Sequence, residues 1–256
     1  MTRQNNNIPA VLLVGGLGTR LRSVLPSTPK SLARLGNIPF LELLVLQLRS
    51  HGFRRVVMCT GHLAEQVEKE FGDGRKWELE IEYSYESKPL GTAGALKHAD
   101  HLLGNADKFL VMNGDSFLEF DYAGLLAFHC QHGGIASLAV RQVPDASRYG
   151  SVQVDSQQRV VAFVEKSNSG AAGLVNGGVY LFNRSALAHL PEGPASLERE
   201  VFPTLLKYGV YAAEYDGMFI DIGTPADYAR AQELCEKLRQ AALAAQSCPQ
   251  GALKSN

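Results

Sequence analysis

Val14-Gly15-Gly16-Leu17-Gly18-Thr19-Arg20-Leu21, VGGLGTRL, closes the apolar run IPAVLLV that begins at Ile8. A glycine-rich turn after a strand ordinarily holds phosphate, because glycine permits positive φ and lets backbone N–H groups approach an anion closely. Two familiar versions do not fit. The dinucleotide fingerprint G-x-G-x-x-G matches at Gly16 and Gly18 but meets Leu21 where its third glycine belongs, and no Gly-Lys-Ser/Thr run occurs at P-loop spacing. Instead the chain reaches Pro29-Lys30, beyond a polar loop. A turn flanked by Arg20 and Lys30 suggests a cradle for more than one phosphate.

Outward from this turn the chain alternates strand and helix patterns. PFLELLVLQLRSHG (Pro39–Gly52) places Leu41, Leu44, Val45 and Leu48 at i, i+3, i+4 and i+7, a helical stripe that Gly52 terminates. RRVVMCTG reads as a strand, LAEQVEKEFG as a helix, ELEIEYSYE as an alternating edge strand, TAGALKHADHLLG as a helix and KFLVMNGD as a buried strand. This order predicts an α/β fold, a Rossmann-like doubly wound, mostly parallel sheet with helices on both faces. After residue 133 the texture turns to short strands: IASLAVRQV, YGSVQVD, RVVAFVEK and GLVNGGVYLFN. Helix returns in SLEREVFPTLLKYG (Ser196–Gly209) and in TPADYARAQELCEKLRQAALAA (Thr224–Ala245). The expected organisation is one domain over 1–245, with a nucleotide-binding half near 8–132 and a β-rich elaboration near 133–230 that lays a lid over it. Residues 246–256 read as a tail.

Composition narrows the partners. With 25 Lys and Arg against 26 Asp and Glu in 256 residues, the formal charge of -1 creates no field that would gather nucleic acid or an anionic membrane. Cys59, Cys130, Cys235 and Cys248 form no C-x-x-C pair and show no metal-ligand spacing, so they read as reduced thiols. No hydrophobic leader opens the sequence and no apolar run is long enough to span a bilayer, which leads to the expectation of a soluble, cytoplasmic protein.

In an open α/β sheet ligands sit beyond the carboxyl ends of the strands. Four loops there carry unusual polar residues: GGLGTR, Asn113-Gly114-Asp115, Glu165-Lys166, and Asp221 to Pro225 (DIGTP). Asp115 and Asp221, with no His or Cys beside them, suit Mg²⁺ better than zinc, since Mg²⁺ takes oxygen ligands and shares them with substrate phosphates. Taken singly, Asp115 reads equally as a turn residue and Asp221 as an organiser of the turn before a helix. Glu165-Lys166 is a commonplace solvated couple whose place at the end of an apolar strand gives it a second reading. There the carboxylate accepts sugar hydroxyls and the ammonium holds a phosphate. VNGGVY (Val175–Tyr180) sets an amide and two glycines inside a strand, which marks either a bulge or a close approach by backbone or ligand.

Together these stretches resemble the signature of the sugar-1-phosphate nucleotidyltransferases. The likeness runs in order through G-G-x-G-T-R-L with its Pro-Lys, PLGTAGAL (Pro89–Leu96), NGD, RYG (Arg148–Gly150), FVEK, NGGVY and FIDIGTPADY (Phe219–Tyr228), covering nearly the whole chain. It implies that Leu13, Gly15, Gly16, Gly18, Thr19, Arg20, Gly91, Thr92 and Asn113 bind a nucleoside triphosphate. Catalytic roles would fall to Arg20, Lys30, Asp115 and Asp221, with Asp115 and Asp221 holding Mg²⁺. Gly150, Glu165, Lys166 and Asn176 would contact the sugar phosphate, making the second half a sugar-binding elaboration. The wording LRSVLPSTPKSL and SLEREVFPTL is most similar to D-glycero-D-manno-heptose 1-phosphate guanylyltransferases, with mannose-1-phosphate guanylyltransferases close by. The implied partners are GTP and a sugar 1-phosphate; a homodimer is compatible with the sequence. Ser31, Arg34 and Lys88 depart from the common pattern. Ser31 and Arg34 come after the lysine where small residues or proline are usual, and Lys88 replaces an acidic residue.

The implied reaction sets a dianionic sugar phosphate against the α-phosphorus of the nucleotide, and the cations Arg20, Lys30, Lys166 and Mg²⁺ offset the repulsion. Uridylyl or thymidylyl transfer to glucose 1-phosphate is an alternative within this class. A nucleotide-sugar-dependent glycosyltransferase would carry Asp-x-Asp where Asp115-Ser116-Phe117 offers one carboxylate. A regulatory subunit that senses a nucleotide sugar has no need of the full set of charges.

Overall fold

The computed structural model describes residues 8–147, 149–164 and 171–244. In chain order come β1 (Ala10–Leu13), β2 (Arg34–Leu35), β3 (Ile38–Pro39), α1 (Phe40–Ser50), β4 (Arg55–Thr60), α2 (Ala64–Phe71), β5 (Glu80–Tyr85), α3 (Gly91–His98), β6 (Lys108–Asn113), β7 (Ser116–Leu118) and α4 (Tyr122–His132). The remainder holds β8 (Ala136–Val143), β9 (Ser151–Val154), β10 (Val160–Val164), β11 (Gly173–Asn183), α5 (Phe202–Leu205), β12 (Val210–Glu214), β13 (Phe219–Asp221), α6 (Pro225–Glu233) and α7 (Cys235–Leu243).

A nine-stranded sheet organises the chain. β1 lies between β4 and β6, parallel to both, and β5 adds in parallel at the edge. Burial explains why β1 reads as an unbroken apolar run. Ala10 and Leu12 face a core shared with α1, α2 and α7, whereas Val11 faces a second core shared with α3 and the segment around Leu197–Leu205. A parallel strand covered on both faces has no solvent side to mark with polar residues. The Leu41, Leu44, Val45 and Leu48 stripe is buried, and Phe40, Leu43 and Gln47 are buried with it.

Four details differ from the sequence-based expectation. The strands after residue 133 are not a lid. β11 pairs antiparallel with β6 and carries β8, which carries β12 in turn, so the same sheet continues edgewise. Ser196–Gly209 is not one helix but a π-turn at Leu197–Val201, the short α5 and a 3-10 turn at Leu206–Tyr208. Pro203 has no N–H to donate to the preceding turn, so regular winding cannot pass through it. The last helical stretch breaks at Leu234 into α6 and α7. Tyr228 and Gln232 of α6 donate to the Arg34 carbonyl, while Ala242 of α7 accepts from Ser50 at the end of α1, so each half obeys its own anchor. Finally β12, whose VYAAE has little β-branched content, gave no strand signal but lies parallel to β8.

Asn176 to Val179 proves to be both a bulge and a close approach. The register of β11 against β8 steps from Asn176↔Val140 directly to Val179↔Ala139, leaving Gly177 and Gly178 looped out. Gly178 has φ +73, and a Cβ there would stand 2.5 Å from Ser116 Oγ. Only glycine meets both demands.

Candidate active site

The glycine turn sits where β1 and β6 leave the sheet together, as Val14 N–H donates to the Cys59 carbonyl at 2.9 Å and Gly114 N–H to the Leu13 carbonyl at 2.9 Å. Gly18 turns the chain at φ +57 into a 3-10 turn, Thr19–Leu21, that carries Arg20. A Cβ on Gly18 would meet Lys30 Cβ at 3.1 Å, so the turn also leaves the room in which the lysine stands. Gly16, Gly18, Thr19, Arg20, Lys30 and Asp115 line a cavity of about 160 Å³ here. Ser31 lines it as well and is buried, and its Oγ meets no hydrogen-bond partner among the described residues.

Lys30 bridges the two aspartates. Its Nζ lies 2.6 Å from Asp115 Oδ2 and 3.9 Å from Asp221 Oδ1, with its side chain 11% exposed. The aspartates, distant in sequence, meet because β7 and β13 pair antiparallel with Asp221 opposite Ser116, and Ile222 N–H donates to the Asp115 carbonyl at 3.0 Å. Burial and the Asp115 charge raise the Asp221 carboxyl above its ordinary value, against the pull of Lys30, the Gly223 N–H and Arg20. Two carboxylates that still repel each other around one ammonium have capacity for a further cation. Their all-oxygen donor set fits Mg²⁺. Among the described residues no group of three or more His, Cys, Asp or Glu could hold a metal, so the remaining ligands would have to be substrate oxygens or water.

A second cavity, about 250 Å³, opens beside the first and is lined by Leu13, Gly15, Gly91, Thr92, Asn113 and also Glu86. Glu86 was not among the candidates from sequence. Its Oε2 accepts the Leu90 N–H at 2.9 Å, and burial raises its carboxyl above the ordinary value although that N–H and His98 oppose the shift. Thr92 lines this cavity but spends its hydroxyl elsewhere, accepting from Leu197 N–H at 2.7 Å and donating to Glu198 Oε2 at 3.0 Å. Asn113, at the end of β6, directs its Nδ2 toward Tyr180 at 3.5 Å, while its buried Oδ1 has no partner among the described residues.

The third cavity, about 580 Å³, holds Gly150 and Asn176 of the sequence-derived set together with Tyr149, Glu198, Arg199 and Phe219. Glu165 and Lys166 lie outside the described residues, although Val164, the last residue of β10, lines the cavity. Asn176 accepts the Gly178 N–H at 3.0 Å and donates from Nδ2 to the Tyr180 hydroxyl at 2.8 Å. Glu198 and Arg199 escaped the sequence reading because ER within a helical pattern looks like a solvated face. Asp115 lines all three cavities, and Asp221 lines the largest.

A glycine turn outside the P-loop pattern, a Lys-bridged pair of aspartates and three cavities that share Asp115 stand together on a mostly parallel sheet, and comparison with known proteins gives the class. The profile of the family described as "Nucleotidyl transferase" matches residues 9–237, and the chain belongs to this family. It is 38% identical over 226 residues to the mannose-1-phosphate guanylyltransferase catalytic subunit beta of Drosophila melanogaster, covering 87% of this chain and 61% of that protein. It is 38% identical over 232 residues to the mannose-1-phosphate guanylyltransferase of Mycobacterium tuberculosis, covering 88% and 64% respectively. The chain thus spans less than two thirds of the length of these relatives. Its fold matches the crystal structure of HddC from Yersinia pseudotuberculosis at TM-score 0.80 and 32% identity, covering 88% of this chain and 98% of that one. HddC has also been crystallised with GMP-PN, and that structure matches at TM-score 0.78. No helix among the described residues is long and apolar enough to cross a membrane.

Proposed function

We propose that this chain is a sugar-1-phosphate guanylyltransferase, condensing GTP with a sugar 1-phosphate to a GDP-sugar and pyrophosphate. The confluence of three cavities on Asp115, which Lys30 bridges to Asp221, carries the reading. The glycine turn takes the triphosphate, the cavity at Glu86 the base and the cavity at Asn176 the sugar, so the α-phosphorus and the sugar phosphate meet at their junction. An oxygen of the sugar phosphate attacks the α-phosphorus, the bond from that phosphorus to the bridging oxygen breaks, and pyrophosphate leaves with the electron pair. Arg20 and Lys30 offset the charge accumulated there, and positioning supplies the rest, with no covalent intermediate on the protein. Asp115 and Asp221 would hold Mg²⁺, which when bound supplies further charge neutralisation at the phosphates.

Guanine is favoured by Glu86. A carboxylate is an acceptor only, and guanine alone among the common bases offers two adjacent donors, N1–H and the N2 amino group, whereas uracil and thymine flank one donor with two carbonyls. The guanylyltransferase relatives support the same choice. For the sugar, the resemblance of LRSVLPSTPKSL and SLEREVFPTL points to D-glycero-D-manno-heptose 1-phosphate, hence GDP-heptose for a bacterial surface polysaccharide, with mannose 1-phosphate as a slower substrate. The test is pyrophosphate release from four nucleoside triphosphates against a panel of sugar 1-phosphates. Release is expected only with Mg²⁺, GTP and the sugar phosphate together. Release without the sugar phosphate refutes the reaction, and a preference for UTP or dTTP with glucose 1-phosphate refutes the guanine and heptose assignments.

A further inference from the structure

A half-buried hydrogen-bond system forms part of the wall of the largest cavity. Tyr180, fully buried on β11, donates its hydroxyl to Glu198 Oε1 at 3.0 Å and accepts from Asn176 Nδ2 at 2.8 Å. Glu198 Oε2 accepts from Thr92 Oγ1 at 3.0 Å and from Ser196 Oγ at 2.9 Å. Thr92 in turn takes the Leu197 N–H, and the Ala195 carbonyl accepts from Ala93 N–H at 2.9 Å, so the cavity wall is stitched to the start of α3. Three donors thus hold one carboxylate at a single orientation.

We propose that Glu198 is a sugar-reading residue of this site, with Tyr180 and Thr92 as its positioning residues. This rests on the guanylyltransferase reading and deepens it. A carboxylate has about four acceptor positions. Among the described residues Thr92, Ser196 and Tyr180 fill three, and the fourth, on Oε1, is left for a ligand. Asn176 Nδ2 has two hydrogens and gives Tyr180 one of them, so among the described residues the second remains to donate. Both residues line the 580 Å³ cavity. Because both bond the same phenol oxygen, they present an acceptor and a donor side by side. That pattern suits neighbouring hydroxyls of a sugar ring, one donating to Glu198 and one accepting from Asn176. Burial and the Glu198 charge hold the Tyr180 phenol well above its ordinary value, so the hydroxyl keeps its proton and the orientation at neutral pH. The site lies on a π-turn, a winding often found where a helix carries function.

The experiment compares the parent chain with Glu198→Gln and Tyr180→Phe on GTP and the best sugar 1-phosphate, then on its monodeoxy analogues. In the parent, one deoxy analogue should lose about 10- to 100-fold in kcat/KM, the scale of a hydrogen bond to a charged group. In Glu198→Gln the same analogue should lose less than about threefold, because the contact is already gone. Tyr180→Phe, which keeps the ring packing and so guards against a Glu198 variant that fails to fold, should raise the sugar-phosphate KM and leave the KM for GTP unchanged. An active parent whose deoxy profile is identical in Glu198→Gln, or a Tyr180→Phe protein with an unaltered sugar-phosphate KM, overturns this inference alone. A parent that releases no pyrophosphate with any sugar 1-phosphate overturns it together with the proposed function.

Discussion

Replacing Glu86 by Gln tests base selection with little change of volume. One carboxylate oxygen is fixed by the Leu90 N–H at 2.9 Å, and Gly15 packs so closely that a Cβ there would stand 2.5 Å from the other, Oε1. The side chain therefore has little freedom to rearrange when its charge is removed. The amide must keep its oxygen toward Leu90 and turn its NH₂ toward the base, setting a donor against the donors of guanine. Losing a hydrogen bond to a charged group removes about 1.5 to 3 kcal/mol, and at about 1.4 kcal/mol per decade the kcat/KM for GTP should fall about 10- to 150-fold. UTP should lose nothing and gain a donor for one of its carbonyls. Competition between GTP and UTP at equal concentration, read by product ratio, gives the shift directly. The pH profile adds a second reading. Because burial raises the Glu86 carboxyl, GTP selectivity should decline as pH falls through that raised value, and the Glu86→Gln protein should lack this limb. Unchanged selectivity in a folded Glu86→Gln protein would remove the residue from base recognition.

Other perturbations separate the charges at the junction. Asp115→Asn and Asp221→Asn should each depress turnover by at least about 100-fold, the scale of one lost charge-stabilising group, with a double change far less than additive. Folded variants with near-normal rates would take the pair out of the site. Lys30→Met should cost turnover about 100- to 1,000-fold, whereas Lys166→Met should act mainly on the sugar-phosphate KM; steady-state kinetics showing the opposite partition would exchange their roles. Stability should fall in acid for a reason remote from the site. Burial lowers His51 from 6.5 to about 4, so its contribution is complete above pH 6.5 and is lost as pH falls toward 4, where the unfolded chain binds the proton first. His129, lowered by burial and bonded to Ser137 and Asn183, acts in the same direction. Urea titrations across this range should show the decline, and His51→Gln should flatten it.

What was legible in the sequence was what depends on local order. The VGGLGTRL turn, the α1 stripe and the buried runs of β4 and β6 each signal themselves by spacing, and each stands where the sequence put it. The site residues that escaped reading are those whose meaning comes from distant partners. Glu198 is one of several charges in SLERE until Thr92 and Tyr180 surround it, and Glu86 is the end of an edge strand until Gly15 closes against it. Even for Asp221, sequence could propose a ligand but could not show that β13 would lie against β7 and set it beside Lys30.

The sheet itself explains why these parts meet. β6 is flanked by β1 in parallel and by β11 in antiparallel orientation, so the sheet changes direction at the strand that leads to Asp115. On the β1 side, the loops at the carboxyl ends leave the glycine turn and the start of α3 facing the crevice. On the other side β11 arrives from the opposite direction and is longer than β6. Its last residues, Val179 to Asn183, pair with β6, and its first ones run past the end of that strand. Looping out Gly177 and Gly178 at the crossing turns the chain there and lets Ser116 approach, so Asn176 lies in the cavity wall while Tyr180 stays beneath it. Their partners on β8, Val140 and Leu138, are two residues apart, so Asn176 and Tyr180 share a face at the spacing of next-but-one neighbours, and Asn176 Nδ2 reaches the Tyr180 hydroxyl at 2.8 Å. A strand without the bulge would still carry the two on one face but four residues apart, about 13 Å along the chain, and the bond that ties the cavity wall to the buried phenol could not form.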